Sequence, residues 1–173
     1  MHNHLKGLRS YLVGPIESVT DEVATEWRND ATVYLKKMGV EVFDPTRKNM
    51  MGELNEVGKE RVFIDNLKKN HDWDTFHKRF KQIVHVDLRC VDFSDFIVAY
   101  VPNDVQMVGT IHEIVEARRQ KKKVFIFTHG PVEKTNSWML WLVKPENIFR
   151  NLEDIMEHLE AQTPQSLTYN IKG

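Results

Sequence analysis

A single cysteine, Cys90, occurs among the 173 residues of this chain. One thiol cannot close an internal disulfide, so no covalent framework is available and a reducing compartment is compatible. Charge of one sign is not in excess either. Lys plus Arg number 24 against 25 Asp plus Glu, a formal net charge of -1. No global field therefore draws the protein to nucleic acid or to an anionic membrane. No apolar stretch approaches the roughly 20 residues of a bilayer span. MHNHLKGLRS lacks the apolar core of a signal peptide. Glycine-rich phosphate loops are missing as well: YLVGP is not GxGxxG, and no P-loop pattern occurs. The eight histidines show no HExxH spacing and no combination with cysteine, so neither a metal site nor a cofactor is expected. Repeats and low-complexity tracts are absent. What remains is a cytoplasmic, single-domain protein spanning residues 1–173, with the 41% hydrophobic and 28% charged composition of an ordinary globular chain.

SYLVGPI (Ser10 to Ile16) reads as a short buried strand stopped by Gly14-Pro15. Thr20 then caps DEVATEWRNDATVYLKKMG, whose apolar residues recur at helical spacing, with Gly39 as the residue just past its end. VEVFDP (Val40 to Pro45) is the next strand. Strand, helix, strand is the opening of a parallel sheet with right-handed crossovers.

Residues 46–80 are charged and carry aromatics at no steady period. The stretch is too long for a bare loop in a compact domain, so short helices are expected around 59–69 and 75–82, as a helical insertion or lid. Regular structure resumes with a helix over 80–92. The apolar run FIVAYV (Phe96 to Val101) is a buried strand. A loop, a helix from Thr110 to about Gln120, strand VFIFT (Val124 to Thr128), the apolar SWMLWLV, a short NIF strand and helix NLEDIMEHLEA follow. From Thr163 to 173 a polar, mobile tail is expected. Alternating strands and helices predict an α/β doubly wound sandwich of about five parallel strands with helices on both faces.

Two acids frame the FIVAYV strand, Asp87 before it and Glu113 after it. Glu113 is placed in the first turn of its helix, near the carboxyl end of the strand, where open α/β sheets bind ligands. Thr110-Ile111-His112-Glu113 also matches a capping box, which would make Glu113 purely structural. Val84, Leu88 and Val91 mark the buried stripe of the preceding helix and leave Asp87 beside it. Tyr11 lies within the first strand, where ordinary packing is the simplest account. Cys90 reads as inert core, and the run Arg118 to Lys123 as the solvated end of a helix.

Taken together, YLVGPI, the Asp-bearing helix leading into DFIVAYV, and GTIHEIVEARRQKKKVFIF resemble the nucleoside 2-deoxyribosyltransferase family, a superfamily that includes deoxynucleoside monophosphate N-glycosidases. The resemblance covers residues 10–45 and 83–128, with G-T-x-x-E as its most specific element. It implies a flavodoxin-like sandwich that cleaves the N-glycosidic bond of 2′-deoxynucleosides through a covalent deoxyribosyl-Glu intermediate, with transfer to another nucleobase or to water.

Glu113 would be the nucleophile, Asp87 the acid that assists base departure, and Tyr11 the third member of the catalytic set. Gly14, Pro15, Asp104, Met107 and Gly109 fall at substrate-binding positions. The chain departs from the family at Met107, where many transferases carry aspartate in D-x-G-T-x-x-E; Asp104 is the nearest acid. Pro15, Ile16 and Glu17 offer no phosphate donor, which favours a nucleoside over a nucleotide. A homo-oligomer with shared active sites is implied, with Trp138, Met139 and Trp141 as interface residues. The alternatives are a catalytically silent nucleoside- or nucleotide-binding module, carried by Met107, and an N-glycosidase acting on a deoxynucleotide or other ribosyl compound.

Overall fold

A computed structural model of the protein describes residues 3–48 and 54–168. Five parallel strands form one sheet in the order β2-β1-β3-β4-β5: β1 (Arg9–Val13), β2 (Glu41–Phe43), β3 (Phe96–Tyr100), β4 (Lys123–Phe127) and β5 (Ile148–Phe149). Each connection is a crossover, and the chain moves outward from β1 in both directions. That makes the carboxyl ends of β1 and β3 the point where the winding reverses, and a crevice opens there in folds of this kind.

Alternation along the strands sorts their side chains into two cores, because successive residues of a strand face opposite ways. Leu12, Phe96, Val98, Phe125 and Phe127 join the apolar stripe of α1 (Asp21–Lys37) and α6 (Leu152–Glu160). Tyr11, Val13, Ile97, Ala99, Val124 and Ile126 face the opposite layer with Val91, Ile114 and Ala117. That layer comprises α3 (Trp73–Phe93), α4 (Val108–Arg119) and α5 (Ser137–Leu142). The doubly wound sandwich expected from the sequence is the observed architecture.

Thr20 caps α1 through the Val23 amide, and Gly39 takes φ +87° just past the helix, as its sequence position required. The segment 46–80 departs more from expectation. Its first helix, α2 (Lys59–Lys69), lies where it was placed. The expected helices at 75–82 and 80–92 are instead one continuous α3 of 21 residues, capped by Asp72. Nothing between them breaks a helix, and Phe76, Phe80 and Ile83 continue a single apolar face. A third apolar cluster, Leu54, Ile64, Leu67, Ile83 and Val86, packs α2 onto that face, away from the sheet.

The polar tail also begins in regular structure. α7 (Pro164–Leu167) is closed by a Thr163/Ser166 capping box and buries Leu167 fully, while 169–173 lie outside the described residues.

Gly14, directly after β1, is fixed by packing. A Cβ there would stand 2.9 Å from the Trp27 ring and 3.3 Å from the Arg28 guanidinium. Gly14→Ala is therefore expected to destabilise the protein by about 1–3 kcal/mol, the usual cost of an overpacked methyl group. Chemical denaturation checks this, with the midpoint falling at unchanged slope.

Candidate active site

A cavity of about 630 Å³ opens at the winding reversal, floored by Tyr11 and Gly14 and walled by α2, α3 and the start of α4. Seven of the sequence-selected residues line it together: Tyr11, Gly14, Pro15, Asp87, Met107, Gly109 and Glu113. Asp104 does not. It is exposed in the loop before α4 and is not among the residues that line the cavity. Met107 itself is half-buried and packs against the α3/α4/α5 core.

The capping box at Glu113 does not form. α4 starts two residues earlier than expected, at Val108, with Met107 as an N-cap that offers no side-chain bond. Thr110 is consequently inside the helix and buried, and Glu113 is in the second turn. Its carboxylate is free for another partner. The Tyr11 hydroxyl donates to Glu113 Oε1 at 2.8 Å, across 102 residues of sequence. A full turn of helix past the cavity rim thus carries the carboxylate back over the end of β1.

Asp87 occupies the buried stripe of α3, with Ile83, Val86 and Val91, rather than its flank. Val84 and Leu88, expected in that stripe, are half-buried and turn toward the cavity. A carboxylate placed so deeply needs a partner. Lys48 supplies it, with Nζ 2.9 Å from Asp87 Oδ1 and 2.9 Å from Glu56 Oε1. Both partners come from the segment between β2 and α2, which the sequence left unassigned. Neither residue sits in a periodic pattern, so nothing local could have marked them.

Burial and unbalanced negative charge set the protonation of this group. Burial and then Glu56 push the Asp87 carboxyl up to about 9, against the opposing pull of Lys48. Burial pushes Glu113 to about 7, against the Tyr11 hydrogen bond that favours its charged form. Tyr11 is held well above its usual value, first by burial and then by Asp87 and Glu113, so it remains a donor. Near neutrality one carboxyl is protonated and the other is close to its midpoint. That division suits an acid and a nucleophile or base. Burial also pushes the Cys90 thiol up to about 12, in keeping with an inert core cysteine.

A second buried charge holds the frame. The Arg28 guanidinium, fully buried in α1, donates to Gly14 O at 2.8 Å, to Leu12 O at 3.4 Å and to Ala24 O, and pairs with Asp44 at 3.9 Å. It ties the turn after β1 to the end of β2. In the sequence it sits within EWRND and has no feature that separates it from a solvated arginine.

Toward the β1–α1 loop, Glu17 and Asp65 line the cavity and both pair with Lys68, at 2.5 and 3.2 Å. Arg61 lines it too, but donates to the Ile16 and Val19 carbonyls and pairs with Asp21 at 3.0 Å. Met139, expected at an interface, is buried within the α3/α4/α5 core, whereas Trp138 and Trp141 are about three-quarters exposed, at 74% and 75%. Among the described residues no group of His, Cys, Asp and Glu could hold a metal ion, and no helix is long and apolar enough to cross a membrane.

Fold and cavity define a doubly wound α/β protein with a paired-carboxylate crevice at its switch point. Solved structures of similar fold include two 2-deoxyribosyltransferases and a CMP N-glycosidase. A 2-deoxyribosyltransferase from Bacillus psychrosaccharolyticus matches with TM-score 0.58 at 20% identity, over 94% of this chain and 99% of that one. A 2-deoxyribosyltransferase from Leishmania mexicana matches with TM-score 0.55 at 16% identity, over 88% and 96%. A CMP N-glycosidase from Clostridium botulinum matches with TM-score 0.50 at 15% identity, over 88% and 97%. The chain has the fold of these three proteins along almost their whole length. No protein-family profile matches the sequence, and no curated protein matches it.

Proposed function

We propose that the protein is an enzyme of the nucleoside 2-deoxyribosyltransferase kind, cleaving the N-glycosidic bond of 2′-deoxynucleosides. One observation carries the reading: Glu113, hydrogen-bonded by Tyr11 at 2.8 Å, shares a cavity with the protonatable Asp87. Glu113 attacks the anomeric carbon and forms a deoxyribosyl ester, while Asp87 delivers a proton to the departing base. Tyr11 occupies one Glu113 oxygen and aims the other. A second nucleobase, or water, then resolves the ester. The structural neighbours' activities, deoxyribosyl transfer and CMP N-glycosidic cleavage, share this bond and support the reading.

A nucleoside suits the cavity better than a nucleotide. Among the described lining residues Arg61 is the sole Lys or Arg; its two terminal nitrogens are held by the Ile16 and Val19 carbonyls and Asp21, and its Nε is buried with no hydrogen-bond partner. Glu17, Glu60 and Asp65 line the same region, and their ion pairs with Lys68 and Arg79 occupy nearby cations that a 5′-phosphate would need. The exposed Trp138 and Trp141 support a homo-oligomer.

Incubation with 2′-deoxynucleosides and a second free base, followed by chromatography, tests the proposal. Exchanged nucleoside or liberated base is expected; neither product, over all common bases, would overturn it. The pH profile adds a check. Cleavage needs Glu113 ionised and Asp87 protonated, so kcat/KM should rise as pH passes about 7 and fall as it passes about 9. A profile flat across that window contradicts the assignment.

A further inference from the structure

Two carboxylates, Glu56 and Asp87, share one ammonium in the wall of the cavity. The side chains of Lys48 and Asp87 are 3% and 11% exposed, and that of Glu56 is 22% exposed. Lys48 Nζ approaches both acids at 2.9 Å, but its alignment makes a hydrogen bond only with Glu56; Asp87 Oδ1 is buried without one. Two negative charges against one positive leave a net charge that so dry a place disfavours, and a single proton neutralises it. Glu56 already has the aligned ammonium and the better access to water. The proton belongs on Asp87.

Other groups face Asp87 without changing that assignment. Tyr11 approaches from β1 and Cys90 from its own helix, both held in their neutral forms. Glu113, from α4, adds negative charge when ionised and so also favours a protonated Asp87.

The Lys48–Glu56 pair is itself held in place. The Lys48 amide donates to Asn55 Oδ1 at 2.6 Å, one residue before Glu56. Upstream, Asp44 accepts from the Thr46 amide at 2.8 Å and from its hydroxyl at 2.7 Å, and pairs with Arg28.

We propose that Glu56, acting through Lys48, is a positioning residue that keeps Asp87 protonated as the acid for the departing base, a role that rests on the N-glycosidic reading of the cavity. With Glu56 taking the ammonium's hydrogen bond, Asp87 gives its proton to a ring nitrogen of the base as the C1′–N bond breaks. That bond's electron pair goes to the base, and a Glu113 oxygen bonds C1′. Asp87 is left as a carboxylate beside Lys48, whose ammonium then stabilises it. In the second half-reaction the water or acceptor base returns a proton to Asp87 as it takes C1′ from Glu113. Without Glu56, Lys48 pairs with Asp87 from the start and the proton is missing when it is needed.

Glu56→Gln separates this role from a structural one. The wild type and the variant are compared on 2′-deoxyguanosine and on 7-methyl-2′-deoxyguanosine, whose cationic base departs without being protonated. The variant is expected to lose about 10- to 100-fold in kcat/KM on 2′-deoxyguanosine at pH 8, with the alkaline limb of its profile moved to lower pH. On the methylated substrate it should change less than about threefold, because no general acid is required there. Equal losses on both substrates, or none on either, overturn the proposal.

Carboxyl-carbon NMR of Asp87 gives a readout that needs no turnover. Its titration should move to lower pH in Glu56→Gln, and an unmoved titration overturns the proposal whatever the activity. If the wild type cleaves neither substrate while the titration moves as expected, the N-glycosidic reading fails and the Glu56 device stands.

Discussion

If Glu113 is the nucleophile we propose, Glu113→Gln is expected to lower deoxynucleoside cleavage by at least about 10³-fold, since it removes the oxygen that would form the covalent bond. The substitution keeps the shape of the side chain and an oxygen for the Tyr11 hydroxyl, so the cavity survives. Folding should not suffer. The Glu113 carboxyl is raised from its ordinary 4.5 to about 7 in the folded chain. A carboxyl raised in this way contributes stability below its unfolded value, and that contribution is lost as pH climbs through about 7. Removing the ionisation removes the loss, so at pH 8 the variant should melt at or above the wild-type temperature. Calorimetry beside a single-turnover assay tests both halves. A variant that is inactive and also unstable would make Glu113 structural; one with wild-type activity would end the assignment. Mass spectrometry of wild type quenched during turnover should find a deoxyribosyl adduct on Glu113, and none on the variant.

How Glu113 came to be free of its own helix shows what a sequence can and cannot display. Strands β1, β3 and β4 were legible because apolar, β-branched and aromatic runs of that length have few alternatives inside a sandwich. α1 was legible at both ends because Thr20 and Gly39 are capping residues with a local mechanism. α4 carried a misleading local signal. Thr110 and Glu113 have capping-box spacing, but the helix is entered earlier through Met107, which has no capping group. Tertiary packing set that start, burying Thr110, Ile114 and Ala117 against the sheet. Propensity yields to burial in such cases.

The partners of Asp87 were beyond reach for a different reason. Lys48 and Glu56 lie in an irregular segment about 30 to 40 positions away in sequence, and ion pairs across such distances leave no periodicity. The resemblance to a known family covered residues 10–45 and 83–128 and passed over the stretch between. That stretch supplies Glu56 and Lys48, which act on the Asp87 carboxyl in opposite directions after burial has raised it. The resemblance therefore pointed to Asp87 and Glu113, whereas the charged groups beside Asp87 lay outside the residues it covered.

Arg28→Met should destabilise the protein by about 3–5 kcal/mol, the range for breaking a buried ion pair from one side. Methionine fills most of the stem's volume, so the cost comes from what is left behind. The Gly14, Leu12 and Ala24 carbonyls lose a donor, and Asp44, 8% exposed, loses its cation. The guanidinium also covers the Trp27 ring at 4.6 Å, a contact methionine replaces without charge. For a chain of this length such a loss lowers Tm by on the order of 10 °C, measurable by calorimetry. Arg28→Lys should recover little, because one ammonium cannot reach three carbonyls spread along β1 and α1.

Adding Asp44→Asn to Arg28→Met removes the stranded charge while sparing an oxygen for Thr46. The double variant is expected to be more stable than Arg28→Met alone, and simple additivity would refute the coupling. Activity should follow the same pattern. Asp44 leads through Thr46 to Lys48, and Gly14 through β1 to Tyr11, so one buried guanidinium holds both supports of the carboxylate pair.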